Sequence, residues 1–209
     1  LIKFDDANTA NQTFTRLDGS KVTVPMMNLR EEPVKLLYYN QGNCRILELP
    51  YKGNRLAMDL ILPEAGTFNN FEQSISAEII SNLVNGLDSV GLVTVRIPRF
   101  EFTTESISLK KAFMNLGMVV PFSLSADFSG ISNTSLYIDD IYHKAFIKVD
   151  EKGTEAAAAT AVIMLPVSTN PPPPPQFVAD RPFIFFIRDT LTGAILFMGR
   201  VLDPMAGES

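Results

Sequence analysis

Cysteine and histidine are nearly absent from this sequence. One cysteine, Cys44, allows no internal disulfide, which excludes a disulfide-stabilised scaffold. Its side chain is expected to be a small core hydrophobe. One histidine, His143, excludes most histidine-based metal sites and leaves little material for acid–base catalysis.

The common catalytic signatures are missing as well. The sequence contains no Gly-x-Ser-x-Gly, no Cys-x-x-Cys, no His-Glu-x-x-His and no glycine-rich phosphate loop. A serine-hydrolase triad would have to use His143, which the hydrophobic pattern places inside a strand. We therefore expect a protein that is not an enzyme and that needs no cofactor.

Positive charge and long apolar runs are also scarce. The net charge of −5 argues against nucleic acid as the main partner. The sequence has no apolar run of about 20 residues, so no membrane span is predicted. With 209 residues, 46% apolar and 20% charged, the composition is that of an ordinary soluble chain of one or two domains.

Alternating apolar residues predict an α+β chain dominated by antiparallel strands. A hairpin is predicted from Leu47 to Leu62 around the turn Lys52–Arg55, and the change of apolar parity at Pro98 and Arg99 predicts a bend. The remaining predicted strands are Val22–Met27, Leu36–Tyr39, Val93–Ile97, His143–Val149, Phe183–Ile187 and Ala194–Met198. The predicted helices are Phe68–Ile75, Ser76–Asn85 and Ile107–Leu116.

The segment Glu151–Ser168 has a charged start and an uncharged body, and it leads into Pro171–Pro175. No residue from Ala156 to Thr169 carries a charge. Thr154 could cap a helix and the alanines favour one, which Pro166 would stop. Local rules therefore leave a short buried helix as an open alternative for this segment.

Several segments resemble the serpin family. Lys148–Thr160 is similar to the serpin hinge, Phe177–Ile187 to the C-terminal signature, and Leu196–Pro204 to the closing strand. Val24–Met27 and the hairpin Leu47–Pro63 also fit. The resemblance is collinear over essentially the whole chain, but serpins are much longer. It implies that residues 1–209 are the C-terminal part of one serpin domain, whose N-terminal half is a necessary partner.

The resemblance implies a fold and a mechanism. The fold would contain parts of sheets A, B and C, about three helices, and an exposed reactive-centre loop at residues 151–176. The function would be inhibition of serine proteases by a suicide-substrate mechanism. The protease cuts the loop and becomes acylated, and the loop then inserts into sheet A as a new strand and traps it. The implied hinge residues are Glu151, Gly153, Thr154, Glu155, Ala156, Ala157 and Ala158.

Strand insertion sends alternate side chains into the sheet interior. If Glu155 faces solvent, none of the inward residues is charged, and those nearest the hinge are small enough to pass between packed strands. Gly153 gives the hinge its backbone freedom. The inward residues would be Thr154, Ala156, Ala158, Thr160, Val162 and Met164.

Counting from Glu151 as in inhibitory serpins places the cut between Val167 and Ser168. The protease subsites would then hold Met164, Leu165 and Pro166. A small β-branched residue at the cut suits an elastase-like protease, and a chymotrypsin-like protease cutting at Leu165 is the second choice.

Two further roles are implied by the resemblance. Arg99 matches the basic partner of Glu151 at the top of the sheet, where loop insertion begins. His143 matches the histidine of the region that opens to admit the loop.

An extracellular, secreted protein is expected. The alternatives are a non-inhibitory serpin that acts as a binding or carrier protein, a protein that proteases simply cleave, and a fragment without activity of its own.

Overall fold

The computed structural model describes residues 4–29, 36–90, 93–152 and 174–206. The chain divides into two compact units. The first comprises Leu1–Phe100 with Val149–Ser209, and the second comprises Glu101–Lys148. No helix in the described ranges is long and apolar enough to cross a membrane.

Strands outnumber helices in the described residues, as the sequence predicts. The strands are β1 (Ala10–Thr15), β2 (Lys21–Asn28), β3 (Leu36–Asn40), β4 (Cys44–Pro50), β5 (Leu56–Pro63), β6 (Asp88–Val90), β7 (Thr94–Pro98), β8 (Phe100–Thr103), β9 (Ile107–Ser108), β10 (Tyr142–His143), β11 (Phe146–Val149), β12 (Gln176–Val178), β13 (Phe183–Asp189) and β14 (Ile195–Val201). The α-helices are α1 (Phe68–Ser74), α2 (Ala77–Asn85) and α3 (Lys110–Asn115). Short 3₁₀ turns occur at Asp6–Asn8 and Val120–Phe122.

A six-stranded sheet forms the larger part of the first unit, in the order β14-β13-β5-β4-β3-β6. The predicted hairpin is confirmed, because β4 and β5 pair antiparallel with Leu47 opposite Leu60. Gly53 and Asn54 in its turn have φ values of 85° and 56°, the left-handed conformation that these residue types adopt most easily.

Helices α1 and α2 pack on one face of this sheet and bury its apolar side chains. Both helices are close to their predicted bounds, and the side chain of Ser76 caps α2 by accepting a hydrogen bond from Ile79 N at 3.2 Å. The buried cluster between the helices and the sheet contains Cys44, Ile46, Ile61, Phe68, Phe71, Leu83, Ile184 and Phe186. Cys44 is thus a buried core residue, and burial raises the pKa of its thiol to about 11.

A four-stranded sheet, in the order β1-β2-β7-β12, completes the first unit. Strands β1, β2 and β7 are antiparallel neighbours, whereas β12 runs parallel to β7 with Val178 opposite Arg96. The predicted bend is present, because β7 ends at Pro98 and β8 begins at Phe100, with Arg99 between them. Arg99 is therefore held at the end of a buried strand.

The second unit departs from two of the predicted elements. The helix predicted over Ile107–Leu116 is shorter, because Ile107 and Ser108 form β9 and pair with β10. The side chain of Ser108 donates to Asp140 Oδ1 at 2.8 Å, and Leu109 N donates to Ile141 O at 2.8 Å. These cross-strand bonds use the residues that would have made the first helical turn, so the predicted start of the helix is wrong.

The strand predicted over His143–Val149 is divided into β10 and β11. Between them, Ala145 N donates to Thr104 Oγ1 at 2.9 Å, and Ala145 O accepts from Thr104 N at 2.9 Å. The loop residue Thr104 thus takes the bonds that a continuous strand would have made. Within β11 the predicted faces are correct, since Val149 is buried and Phe146 is exposed.

Candidate functional site

The candidate site begins where β11 ends, at Glu151. This residue is 2% exposed, although a turn places it between two charged neighbours, Asp150 and Lys152. Lys152 N donates to Asp150 Oδ1 at 3.0 Å, which closes the turn. The turn directs the Glu151 side chain inward.

Arg99 meets the Glu151 carboxylate with two guanidinium nitrogens. Arg99 Nε donates to Glu151 Oε2 at 3.0 Å, and Nη2 lies 2.7 Å from both Oε1 and Oε2. The Arg99 side chain is 42% exposed and that of Glu151 only 3%. Bidentate contacts of this kind are among the stronger hydrogen bonds in proteins and fix geometry as well as charge. The contact between Arg99 and Glu151 that the family resemblance implies is therefore present in the structure.

Thr9 supplies a third contact, which the sequence does not indicate. Its hydroxyl donates to Glu151 Oε1 at 2.5 Å. Thr9 follows the 3₁₀ turn Asp6–Asn8, where Asp5 accepts a hydrogen bond from Ala7 N at 3.0 Å. The capped turn positions Thr9 directly before β1.

These contacts set the charge of Glu151. Burial alone would raise the pKa of this carboxyl, but the hydrogen bonds from Arg99 and Thr9 hold it below its usual value. The hydrogen bonds to Glu151 also raise the pKa of Arg99, against the opposing effect of burial. Both groups are thus ionised at neutral pH, and the pair acts as a fixed attachment point at the end of β11.

The segment after Lys152 lies outside the described residues until position 174. Most of the predicted site falls in it. The residues concerned are the hinge positions Gly153, Thr154, Glu155, Ala156, Ala157 and Ala158, the subsite positions Met164, Leu165 and Pro166, and the bond between Val167 and Ser168.

The chain returns beside β7, the strand that ends next to Arg99. Thr94 N donates to Pro175 O at 2.9 Å, and β12 then runs parallel to β7. Glu151 and Pro175 are therefore both attached near the same strand, at opposite ends of it. Five residues of strand span about 16 Å, whereas residues 153–173 have a contour length of about 70 Å.

His143 lies in the second compact unit, on β10, where it pairs with Ile107 of β9. Its side chain is exposed. Its role in admitting a loop stays a prediction. In the part of the chain that the structure describes, no group of three or more metal-ligating side chains occurs.

The sequence of this chain matches a known protein family. A comparison with family models matches residues 1–204 to the family described as serpin (serine protease inhibitor). An uncharacterized serpin-like protein of Thermococcus kodakarensis is 44% identical over 207 residues, which cover 98% of this chain and 47% of that protein. The chain thus spans about half the length of the curated relatives it matches.

Solved structures give the same result. Thyroxine-binding globulin in complex with thyroxine matches with a TM-score of 0.75 and 26% identity, covering 97% of this chain and 53% of that chain. Uncleaved ovalbumin matches with a TM-score of 0.75 and 28% identity, covering 97% of this chain and 50% of that chain. The α+β fold described above is a serpin fold truncated relative to these proteins, and the chain belongs to the serpin family.

Proposed function

We propose that this chain is the C-terminal part of a serpin that inhibits serine proteases as a suicide substrate. The protease would cleave the bond between Val167 and Ser168 and become acylated. The segment after Glu151 would then enter the sheet beside β11 and carry the protease with it. In this proposal residues 151–176 are the reactive-centre loop.

The observation that carries the proposal is the composition of the segment that follows Glu151. From Ala156 to Thr169 it has no charged residue, and four consecutive alanines begin it. Small uncharged side chains can enter a packed sheet without burying charge. An inserted strand requires an inward face without charge, and the residues from Ala156 to Thr169 meet this requirement.

The attachment points on either side support insertion. Arg99 and Thr9 hold Glu151 at the end of β11, and β12 holds the other end beside β7. The contour of residues 153–173, about 70 Å, greatly exceeds the span between these points. After the cut, the length from Gly153 to Val167 is sufficient for a strand of more than ten residues.

Strand β11 offers a place for the new strand. In the described ranges it pairs with β8 alone, in a two-stranded sheet. In this proposal the new strand would pair with the edge of β11 that faces away from β8. Two-stranded sheets are marginally stable alone, and the N-terminal half of the protein is the proposed source of the remaining strands. About a dozen new ladder bonds at roughly 1 kcal/mol each would drive insertion.

The proposed target is an elastase-like serine protease, because Val167 is small and β-branched and so fits a shallow primary pocket. A chymotrypsin-like protease that cuts at Leu165 is the second choice. Such targets are extracellular, so a secreted protein is proposed as well.

A second candidate function is that of a binding protein. It is favoured by one observation, the match to thyroxine-binding globulin with a TM-score of 0.75, which shows that the same fold occurs in a protein named for a small ligand. A binding protein has no requirement for an uncharged hinge, so we rank inhibition first.

Incubation of the full-length protein with an elastase, followed by a denaturing gel, separates these functions. An inhibitor gives a covalent complex whose mass is the sum of the protease and the serpin, less a small C-terminal peptide. Clean cleavage without a complex identifies a plain substrate. An intact serpin beside a fully active protease contradicts the proposal.

A further inference from the structure

Three ionisable residues lie inside the six-stranded sheet of the first unit. Glu48 on β4 is directly opposite Asp59 on β5, and Arg188 lies on β13, the next strand. Because alternate residues of a strand share a face, Glu48 and Asp59 lie on the face that also carries Ile46 and Ile61. This is the face against which α1 and α2 pack.

The three side chains are buried and bonded to one another. Asp59 is 0% exposed, Glu48 7% and Arg188 8%. Arg188 Nε donates to Asp59 Oδ2 at 2.6 Å, and its Nη2 donates to Glu48 Oε2. The second oxygen of Asp59, Oδ1, is buried and has no hydrogen-bond partner among the described residues.

The charges of this cluster do not balance. Two carboxylates share one guanidinium, so the cluster has a net charge of −1 when both acids are ionised. Among the paired positions beside the cluster are Leu37, opposite Glu48, Ile195, opposite Arg188, and Met198, opposite Phe186, and none of them carries a charge. An uncompensated charge in a buried sheet is unfavourable, and one proton on a carboxylate removes it.

Asp59 is the member of the pair best placed to take that proton. It is the more deeply buried of the two acids, and its Oδ1 gains nothing from a negative charge because no described residue donates to it. We propose that Asp59 carries a proton in the folded protein in acidic to neutral solution, and that this proton makes the six-stranded sheet more stable there than in alkaline solution.

The pKa shifts of the two acids are in the direction that this geometry requires. Burial raises the pKa of Asp59 from 3.8 to about 7, although Arg188 opposes the shift. Burial also raises the pKa of Glu48, again against the attraction of Arg188. Because the folded pKa of Asp59 lies above the unfolded one, the stability is fully present below about pH 4 and is lost as the pH rises through about 7.

The direct test is carbon-13 NMR of the full-length protein with labelled aspartate carboxyl groups, titrated from pH 4 to 9. We expect one aspartate signal with a midpoint near 7 that is missing from Asp59→Asn. Glu48→Gln removes the like charge and should lower the midpoint of that signal. If every aspartate signal titrates below pH 5, or if the high midpoint survives in Asp59→Asn, the proposal is wrong.

Stability gives an independent measurement. The urea unfolding midpoint of the unaltered protein should fall between pH 5.5 and pH 8.5, and Asp59→Asn should reduce this fall by imitating the protonated carboxyl. The control is Asp18→Asn, at an exposed turn. Its urea unfolding midpoint should fall by the same amount as that of the unaltered protein. An unchanged midpoint in the unaltered protein, or an equal fall in Asp59→Asn and Asp18→Asn, contradicts the proposal.

Discussion

The guanidinium of Arg99 contacts both carboxylate oxygens of Glu151, and the two residues differ sharply in burial, 42% against 3% exposed side chain. Arg99 lies just after β7, and Glu151 lies just after β11. Their contact therefore joins two strands. One is β7, beside which the chain returns as β12, and the other is β11, from which the proposed loop departs.

Removing the charge of Arg99 should reduce the stability of the protein more than removing the charge of Glu151. Arg99→Ala leaves a buried carboxylate without its cation and should destabilise the full-length protein by about 2–3 kcal/mol. Glu151→Gln leaves a half-exposed guanidinium that water can solvate, and should cost about 1 kcal/mol. Urea unfolding at pH 7 measures both.

The control for this comparison is the exposed pair of Lys148 and Glu101, whose side chains are 51% and 43% exposed. Lys148→Ala should change stability by less than about 1 kcal/mol. Equal losses of unfolding free energy in Arg99→Ala and Glu151→Gln would contradict the expected difference between the two variants.

Thr9 should matter through its hydroxyl alone. Thr9→Val keeps the shape, removes the donor to Glu151 and should cost about 1 kcal/mol, whereas Thr9→Ser should retain most of the stability. The contribution of Glu151 is present above its usual pKa of 4.5 and is lost as the pH falls through its lower folded pKa. NMR titration of Glu151 should therefore show a higher midpoint in Thr9→Val. An unchanged midpoint would show that the hydroxyl does not stabilise the charge.

Particular residues show how far the sequence predicts this structure. The hairpin of β4 and β5 and the helices α1 and α2 have clear periodicity and turn residues, and all are confirmed. Arg99 and Glu151 were found through family resemblance. Thr9 was missed because it lies in a polar segment without periodicity, 142 residues from its partner.

Two other differences arise from contacts that are distant in sequence. Thr104 interrupts the strand predicted through Ala145, and Asp140 bonds Ser108 before a helix can begin there. Local spacing contains no information on either contact. The sequence did contain a signal of the buried cluster of Glu48, Asp59 and Arg188. Asp59 lies at an inward position of β5, whose other residues are apolar.

A charged residue introduced at an inward hinge position should convert the protein from an inhibitor to a substrate of the protease. Thr154 faces inward in the proposed strand and Ala157 faces outward, so Thr154→Arg would bury a cation while Ala157→Arg would expose one. We expect Thr154→Arg to be cleaved by an elastase with little covalent complex, and Ala157→Arg to form complex nearly as well as the unaltered protein. A full yield of complex from Thr154→Arg, or equal losses in both variants, would exclude the proposed insertion register.

The residue before the cut should decide the target. Val167→Arg should transfer inhibition from elastase-like to trypsin-like proteases, because trypsin-like enzymes require a basic residue at this position. Mass spectrometry of the released C-terminal peptide should place its first residue at Ser168 in the unaltered protein. A peptide beginning at Pro166 would move the cut to Leu165 and favour the chymotrypsin-like alternative.

Insertion of the segment after Glu151 should stabilise the protein once its loop is cut, and thermal unfolding of the cleaved protein measures this gain. The full-length protein is cut after Val167 by a protease that it does not trap, and its unfolding is compared with that of the uncut protein. A gain on the order of 10 kcal/mol from new ladder bonds should raise the midpoint by tens of degrees. Thr154→Arg should show a much smaller rise. If the cleaved and uncut proteins unfold at the same temperature, the segment does not insert and the account is wrong.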